Sequence, residues 1–167
     1  MLRLAGAKSG EVFYDLGCGS GKPVVAAALS GTALARCVGV EILPSLAECG
    51  KRACEQVRTR MHDAAAMRQL QLSPVDIHVE KGDFLDAACS TWLREADMVY
   101  FSSICFSDAM TQQCFSRARG MRPGSRVLTL KLPETYEPYF TVADKEWVKM
   151  SWGRILVYLL VRSEVCS

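Results

Sequence analysis

Asp15, Gly17, Gly19 and Gly21 stand at alternate positions in Asp15-Leu-Gly-Cys-Gly-Ser-Gly21, directly after the apolar run Val12-Phe-Tyr14. Glycines spaced in this way let the backbone turn sharply and let a ligand approach it without a side chain in between. The carboxylate closes what reads as a buried strand, where an unpaired charge is costly, so it either turns out to solvent or serves a ligand. Spacing narrows the ligand. A P-loop requires a glycine five residues before a Gly-Lys pair and Ser or Thr after it, but Gly21-Lys22 has Leu16 and Pro23 at those places. The dinucleotide pattern G-x-G-x-x-G requires glycine where Lys22 stands. The pattern that fits is acidic-x-G-x-G-x-G.

Three later stretches place reactive side chains at strand ends. Glu41 closes Ala35-Arg-Cys-Val-Gly-Val-Glu41, about twenty positions past the loop, where an acid reaches ribose hydroxyls. Charge-assisted bonds of that kind are worth roughly 1.5–3 kcal/mol each; an ordinary strand-end acid is the alternative. Asp83 and Phe84, in the turn after Val75–Glu80, offer an acceptor and an apolar face of the kind an adenine needs, or form an incidental turn. Ser102, Ser103 and Phe106 leave the end of the strand Asp97–Phe101, and chemistry in parallel sheets collects beyond such carboxyl ends.

The elements that must hold these residues alternate strand and helix. After the first strand and loop, Lys22–Ser30 reads as a helix with Pro23 in its first turn, where a missing N–H does no harm. Pro44–Leu72 carries apolar residues at helical spacing and predicts one long covering helix. Ser107–Met121 predicts a serine-capped helix, Arg126–Lys131 a fifth strand, and Glu134–Asp144 an aromatic loop with Tyr136, Tyr139 and Phe140. Lys145–Ser151 and Ile155–Arg162 then flank Trp152-Gly-Arg154 as a hairpin. The expected fold is α/β, a doubly wound Rossmann-like sheet, mostly parallel and closed by an antiparallel hairpin.

Bulk properties set the class. The 167 residues, half of them hydrophobic, suit one domain with a real core, expected over 1–167. A net charge of +2 does not advertise binding of nucleic acid or membrane by the chain as a whole. The longest apolar run, Ile155–Val161, is far too short to span a bilayer, and Met1–Gly10 lacks the apolar core of a signal peptide. We expect a soluble intracellular protein. The eight cysteines sit in apolar segments without a C-x-x-C pair and read as reduced thiols, and His62 and His78 lack ligand spacing, so no metal is expected.

The loop motif resembles the first motif of class I S-adenosylmethionine (SAM) dependent methyltransferases. From Val12 to about Leu160 the chain is similar to one branch of them, the disruptor-of-telomeric-silencing family, non-SET lysine methyltransferases that act on a core histone in nucleosomes. The similarity rests on Asp15–Gly21, Gly39-Val-Glu41, Gly82-Asp-Phe84, Val99–Phe106, the Pro-Gly turn before Arg126, and Ser151-Trp152 with Tyr158. It implies that Asp15, Gly17, Gly19, Glu41, Asp83 and Phe84 bind SAM, with S-adenosyl-L-homocysteine as product. It implies that Phe106, Trp152 and Tyr158 line a lysine channel, that the partner is a histone or nucleosome, and that the protein works in the nucleus, with the cytoplasm as alternative. Any nucleic-acid contact would run through the nucleosome or through extensions.

The family carries paired asparagines where this chain has Ser102 and Ser103, and a serine offers one hydroxyl in place of a carbonyl and an amide. It also uses a segment upstream of the first strand, and few residues precede Val12 here, so the expectation is a core cut from a longer protein or a reduced homologue. The implied reaction is in-line attack of a lysine amine on a sulfonium methyl group, governed by positioning. No residue near Ser102 and Ser103 reads as a general base. The competing functions are methylation of another protein lysine or of a small molecule, and a SAM-binding interaction module with weak activity.

Overall fold

The computed structural model describes residues 1–86, 90–150 and 153–164. Among the described residues the strands form a seven-stranded sheet, mostly parallel with an antiparallel hairpin at its end, which is the expected doubly wound α/β architecture; in sheet order they are Asp76–Lys81 (β3), Arg36–Glu41 (β2), Val12–Leu16 (β1), Met98–Phe101 (β4), Arg126–Thr129 (β5), Gly153–Arg162 (β7) and Phe140–Met150 (β6). The chain divides into two compact units, Lys8–Phe84, and Met1–Ala7 with Leu85–Ser167.

In Lys8–Phe84, the strand Val12–Leu16 (β1) pairs in parallel with Arg36–Glu41 (β2), and β2 pairs with Asp76–Lys81 (β3). Phe13, Cys37, Val38, Val40, Ile77 and Val79 are buried along these strands, the near-continuous apolar content of a parallel sheet covered on both faces. Helix Lys22–Ala28 (α1) buries Val24, Ala27 and Ala28, and helix Pro44–Met61 (α2) buries Ala47, Gly50 and Cys54, each set spaced to face the sheet. The single helix expected over Pro44–Leu72 is two: α2 ends at Met61 and a second helix runs Ala64–Gln69 (α3). Asp63 makes the break, because its Oδ1 accepts the Ala65 N–H at 2.9 Å while its carbonyl accepts the Met67 N–H at 3.0 Å, so it caps a new helix.

The other unit contains Ser90–Glu95 (α4), Met98–Phe101 (β4), a 3₁₀ turn Ser103–Cys105, Asp108–Ala118 (α5), Arg126–Thr129 (β5), Phe140–Met150 (β6) and Gly153–Arg162 (β7). Strands β4 and β5 are parallel; β7 runs antiparallel to both β5 and β6. Ser107 caps α5 by accepting the Met110 N–H at 3.1 Å, as its sequence position predicts. Phe115 packs on Phe101 (5.9 Å between centroids) and edge-on to Phe140 (5.4 Å). The aromatic loop expected through Asp144 therefore ends at Tyr139. β6 starts at Phe140, and a register shift between Val142 and Asp144 breaks the alternation by which a strand is recognised. Among the described residues no helix is long and apolar enough to cross a membrane.

Candidate functional site

Parallel pairing in the unit Lys8–Phe84 sets Asp15 beside Gly39 and Leu16 beside Val40. The chain leaves β1 by hooking over β2: the Val40 carbonyl accepts the N–H groups of both Gly17 (2.9 Å) and Cys18 (3.0 Å). Gly17, Gly19 and Gly21 have φ of 82°, 56° and 78°, values that side chains of L-residues rarely take. Glu41 fixes the loop from below, its Oε2 accepting the Gly19 N–H at 2.8 Å and its Oε1 accepting the Leu43 N–H at 2.9 Å. An ionised carboxylate offers about four lone-pair sites, so it keeps capacity for further donors. Sequence reasoning assigned Glu41 to a ligand; it also joins the glycine loop to the start of α2.

Gly39 permits this arrangement. A Cβ there would stand 2.6 Å from Cys18 Sγ and 2.9 Å from Val24 Cγ2, both inside contact distance. The Cys18 thiol is thus packed onto bare backbone, and burial, then Asp15 and Glu41, push it above the ordinary thiol range. Gly39→Ala is expected to destabilise the chain by about 1–3 kcal/mol through overpacking, read as a lower midpoint in denaturant unfolding. The clue in the sequence was a glycine inside a strand pattern, which marks close approach of something to the backbone.

Asp15 is fully buried, and neither carboxylate oxygen has a hydrogen-bond partner among the described residues. Burial first, and the neighbouring Glu41 second, push its carboxyl up to about 8. A buried carboxyl without a donor is a costly arrangement that a cationic or hydrogen-bonding ligand would relieve. At the end of β3 the Gly82 N–H donates to the Glu41 carbonyl at 3.0 Å, so the following turn starts level with the end of β2. Asp83 is half-buried and Phe84 buried. Asp15, Gly17, Gly19, Glu41, Asp83 and Phe84 are thereby gathered at the carboxyl ends of three neighbouring strands, where parallel sheets bind ligands.

In the other unit, Ser102 is half-buried and opens the 3₁₀ turn, while Ser103 is fully buried. Thr129 Oγ1 donates to the Lys131 carbonyl at 2.9 Å, so the Ser103 hydroxyl donates to Thr129 (2.9 Å) and accepts the Leu130 N–H (3.2 Å). The Ser103 carbonyl accepts the Phe106 N–H at 3.0 Å. Ser103 therefore holds the loop after β4 against the end of β5, a task that sequence reasoning did not foresee for it or for Thr129. Tyr158 is the cross-strand neighbour of Thr129, which brings Tyr158 and Ser103 to either side of one threonine. Phe106 is half-buried at the end of the turn. Trp152 and Ser151 lie outside the described residues.

The signature of the family described as histone methylation protein DOT1 matches residues 1–149. The chain belongs to the DOT1 family. The matched stretch takes in the glycine loop, Glu41, Asp83, Phe84 and Ser102–Phe106, and stops short of Trp152 and Tyr158. A histone-lysine N-methyltransferase, H3 lysine-79 specific, from Cryptococcus neoformans is 29% identical over 172 residues, covering 92% of this chain and 26% of its own length. The protein of the same name from Eremothecium gossypii is 27% identical over 125 residues, or 74% of this chain and 21% of its own. The DOT1-family chain described here thus spans about a quarter of the curated relatives it matches. Among solved structures, an RNA methyltransferase from Salinibacter ruber in complex with S-adenosyl-L-homocysteine superposes with a TM-score of 0.67 at 21% identity, covering 99% of this chain and 90% of that one. TrmN from Thermus thermophilus gives 0.67 at 19% identity, over 96% and 46%. These two likenesses establish the methyltransferase fold.

Proposed function

We propose that this DOT1-family chain is the core of a SAM-dependent protein lysine methyltransferase, acting in the nucleus on a core-histone lysine of nucleosomes. The observation that carries the reading is the buried Asp15 carboxyl, without a hydrogen-bond partner among the described residues, beside a glycine loop tied down by Glu41. That set of acceptors fits a ligand with a cationic amino-acid end, vicinal hydroxyls and an aromatic base. Asp15 would hold the ammonium group, Glu41 the ribose hydroxyls, and Asp83 with Phe84 the adenine, while Gly17 and Gly19 keep side chains out of the way. SAM, when bound, supplies a methyl group already activated by its sulfonium. The histone acceptor is supported by family membership and by what the fungal relatives are named for.

On the acceptor side the chain has to present a neutral amine. A free lysine, with a pKa of about 10.4, is almost wholly protonated at neutral pH. Phe106, Tyr158 and Trp152 would lower that value by stripping water from the amine. Ser102 would offer a single hydroxyl to orient it, and Ser103 acts as a positioning residue through Thr129. No base in the chain is assigned to the proton, which leaves the amine before or during entry.

Two other readings have their own support. The net charge of +2 favours a different protein lysine or a small molecule as acceptor, and the serine pair favours a SAM-binding interaction module. Labelled methyl transfer from SAM to intact nucleosomes, free histones and cell extract separates the three: we expect label on nucleosomes, label only elsewhere in the extract would favour another acceptor, and none anywhere would leave the binding module. Tyr158→Phe is expected to cut turnover about tenfold, the loss of one hydrogen bond's worth of transition-state positioning, with SAM affinity unchanged. Full activity in that variant would return Tyr158 to packing.

A further inference from the structure

The C-terminal hairpin sorts its charges by face. Beyond the register shift, β6 reads Asp144-Lys-Glu-Trp-Val-Lys-Met150, and strand alternation puts Lys145, Trp147 and Lys149 on one side with Asp144, Glu146 and Val148 on the other. Cross-strand partners share a face, so β7 adds Tyr158, Leu156 and Arg154 opposite the first three. The acids are engaged elsewhere: Asp144 accepts the Lys145 N–H at 2.7 Å, and Glu146 pairs with Arg3 at 3.2 Å. Lys145, Lys149 and Arg154 are exposed, and among the described residues none of them takes part in an ion pair. Trp147, between the two lysines, is 59% exposed.

Lysines on an edge strand deter the addition of further strands, and β6 is the last strand of the sheet. That accounts for Lys145 and Lys149 but not for Trp147, since an exposed indole on the same edge invites association. The net charge of +2 conceals the arrangement, because acids elsewhere balance a face that carries only cations.

We propose that this hairpin face binds single-stranded nucleic acid, with a base stacked on Trp147 and the flanking phosphates held by Lys145, Lys149 and Arg154. Alternate residues of a strand are about 6.5–7 Å apart, so one cation stands on each side of the ring along the strand. Base stacking on an exposed aromatic, with cations tracking the backbone, is how unpaired strands are held with little regard to sequence. A duplex keeps its base faces covered and would use the cations alone. An acidic peptide would satisfy the lysines and leave the indole without a planar partner. The proposal is independent of the methyl-transfer reading, because binding is measured without SAM or turnover.

Fluorescence anisotropy on the whole chain tests it, with a labelled oligothymidylate, a duplex of equal length and a polyglutamate peptide as probes. The single strand should bind most tightly. Trp147→Ala should weaken it by about five- to a hundredfold, while Trp147→Phe keeps most of the affinity and guards against misfolding as the cause. Changing Lys145, Lys149 and Arg154 together to Gln should lessen the slope of log affinity against log salt by about 2, as expected for three phosphate contacts on a single strand. Duplex bound as tightly as single strand, polyglutamate preferred, binding indifferent to Trp147→Ala, or no binding to the oligothymidylate would each overturn the proposal.

Discussion

Replacing Asp15 with asparagine should flatten the pH profile of stability in the ligand-free chain. The folded carboxyl, pushed up to about 8, keeps its proton over a range in which an unfolded aspartate, with its ordinary value of 3.8, has lost it. Between those two values the folded state binds more protons than the unfolded one, so stability falls as pH rises, by up to about 1.4 kcal/mol per unit. Asparagine has no proton to keep. Denaturant unfolding at several pH values from 5 to 8 should show a declining midpoint for the native sequence and a level one for Asp15→Asn. The same change removes the carboxylate offered to a cationic ligand, and SAM affinity should drop about tenfold or more. Calorimetry in buffers of different ionisation heat should also register proton release on SAM binding at pH 7 and lose it in the variant. A native profile without slope would mean that Asp15 is ionised in the folded chain.

Glu41→Ala should have the larger effect on the cofactor. Two losses combine there. The acceptors proposed for the ribose go, at roughly 1.5–3 kcal/mol for each charged hydrogen bond. The Gly19 and Leu43 N–H groups, now held at 2.8 and 2.9 Å, also lose their partner, so the loop is no longer set before the ligand arrives. SAM affinity by titration calorimetry should fall about a hundredfold or more. Glu41→Gln separates the contributions, because an amide can accept one of the two N–H groups but presents its own donors to the other. Binding to Glu41→Ala as tight as to the native sequence would dismiss the ribose assignment.

Strand β1, its glycine loop and the acid ending β2 were readable from the sequence because their signals are local: apolar runs, turn residues and a fixed spacing. The alternation of strand and helix and the closing hairpin followed for the same reason. Features that depend on a distant partner were not readable. The break at Asp63 looks like the exposed side of a continuing helix until its carboxylate is seen capping Ala65. The start of β6 is hidden by a bulge that shifts the side-chain period, and Phe140 declares itself only by packing on Phe115. Ser103 read as a reactive loop serine; Thr129, twenty-six residues away, shows where its hydroxyl goes. Gly39 was legible as a motif letter, whereas its cause, the Cys18 sulfur, is set by the loop's path over Val40.

The contacts described for the glycine loop, from the Val40 carbonyl to Glu41 and the Gly39–Cys18 packing, are made by residues of the continuous segment Lys8–Phe84. The residues proposed for the acceptor, from Ser102 to Tyr158, all come later in the chain. Heritable change can therefore act on the two tasks separately. A lineage can try new acceptors through substitutions after Phe84 while its use of the cofactor passes on intact, and Ser102 with Ser103 is where such divergence would be sought first.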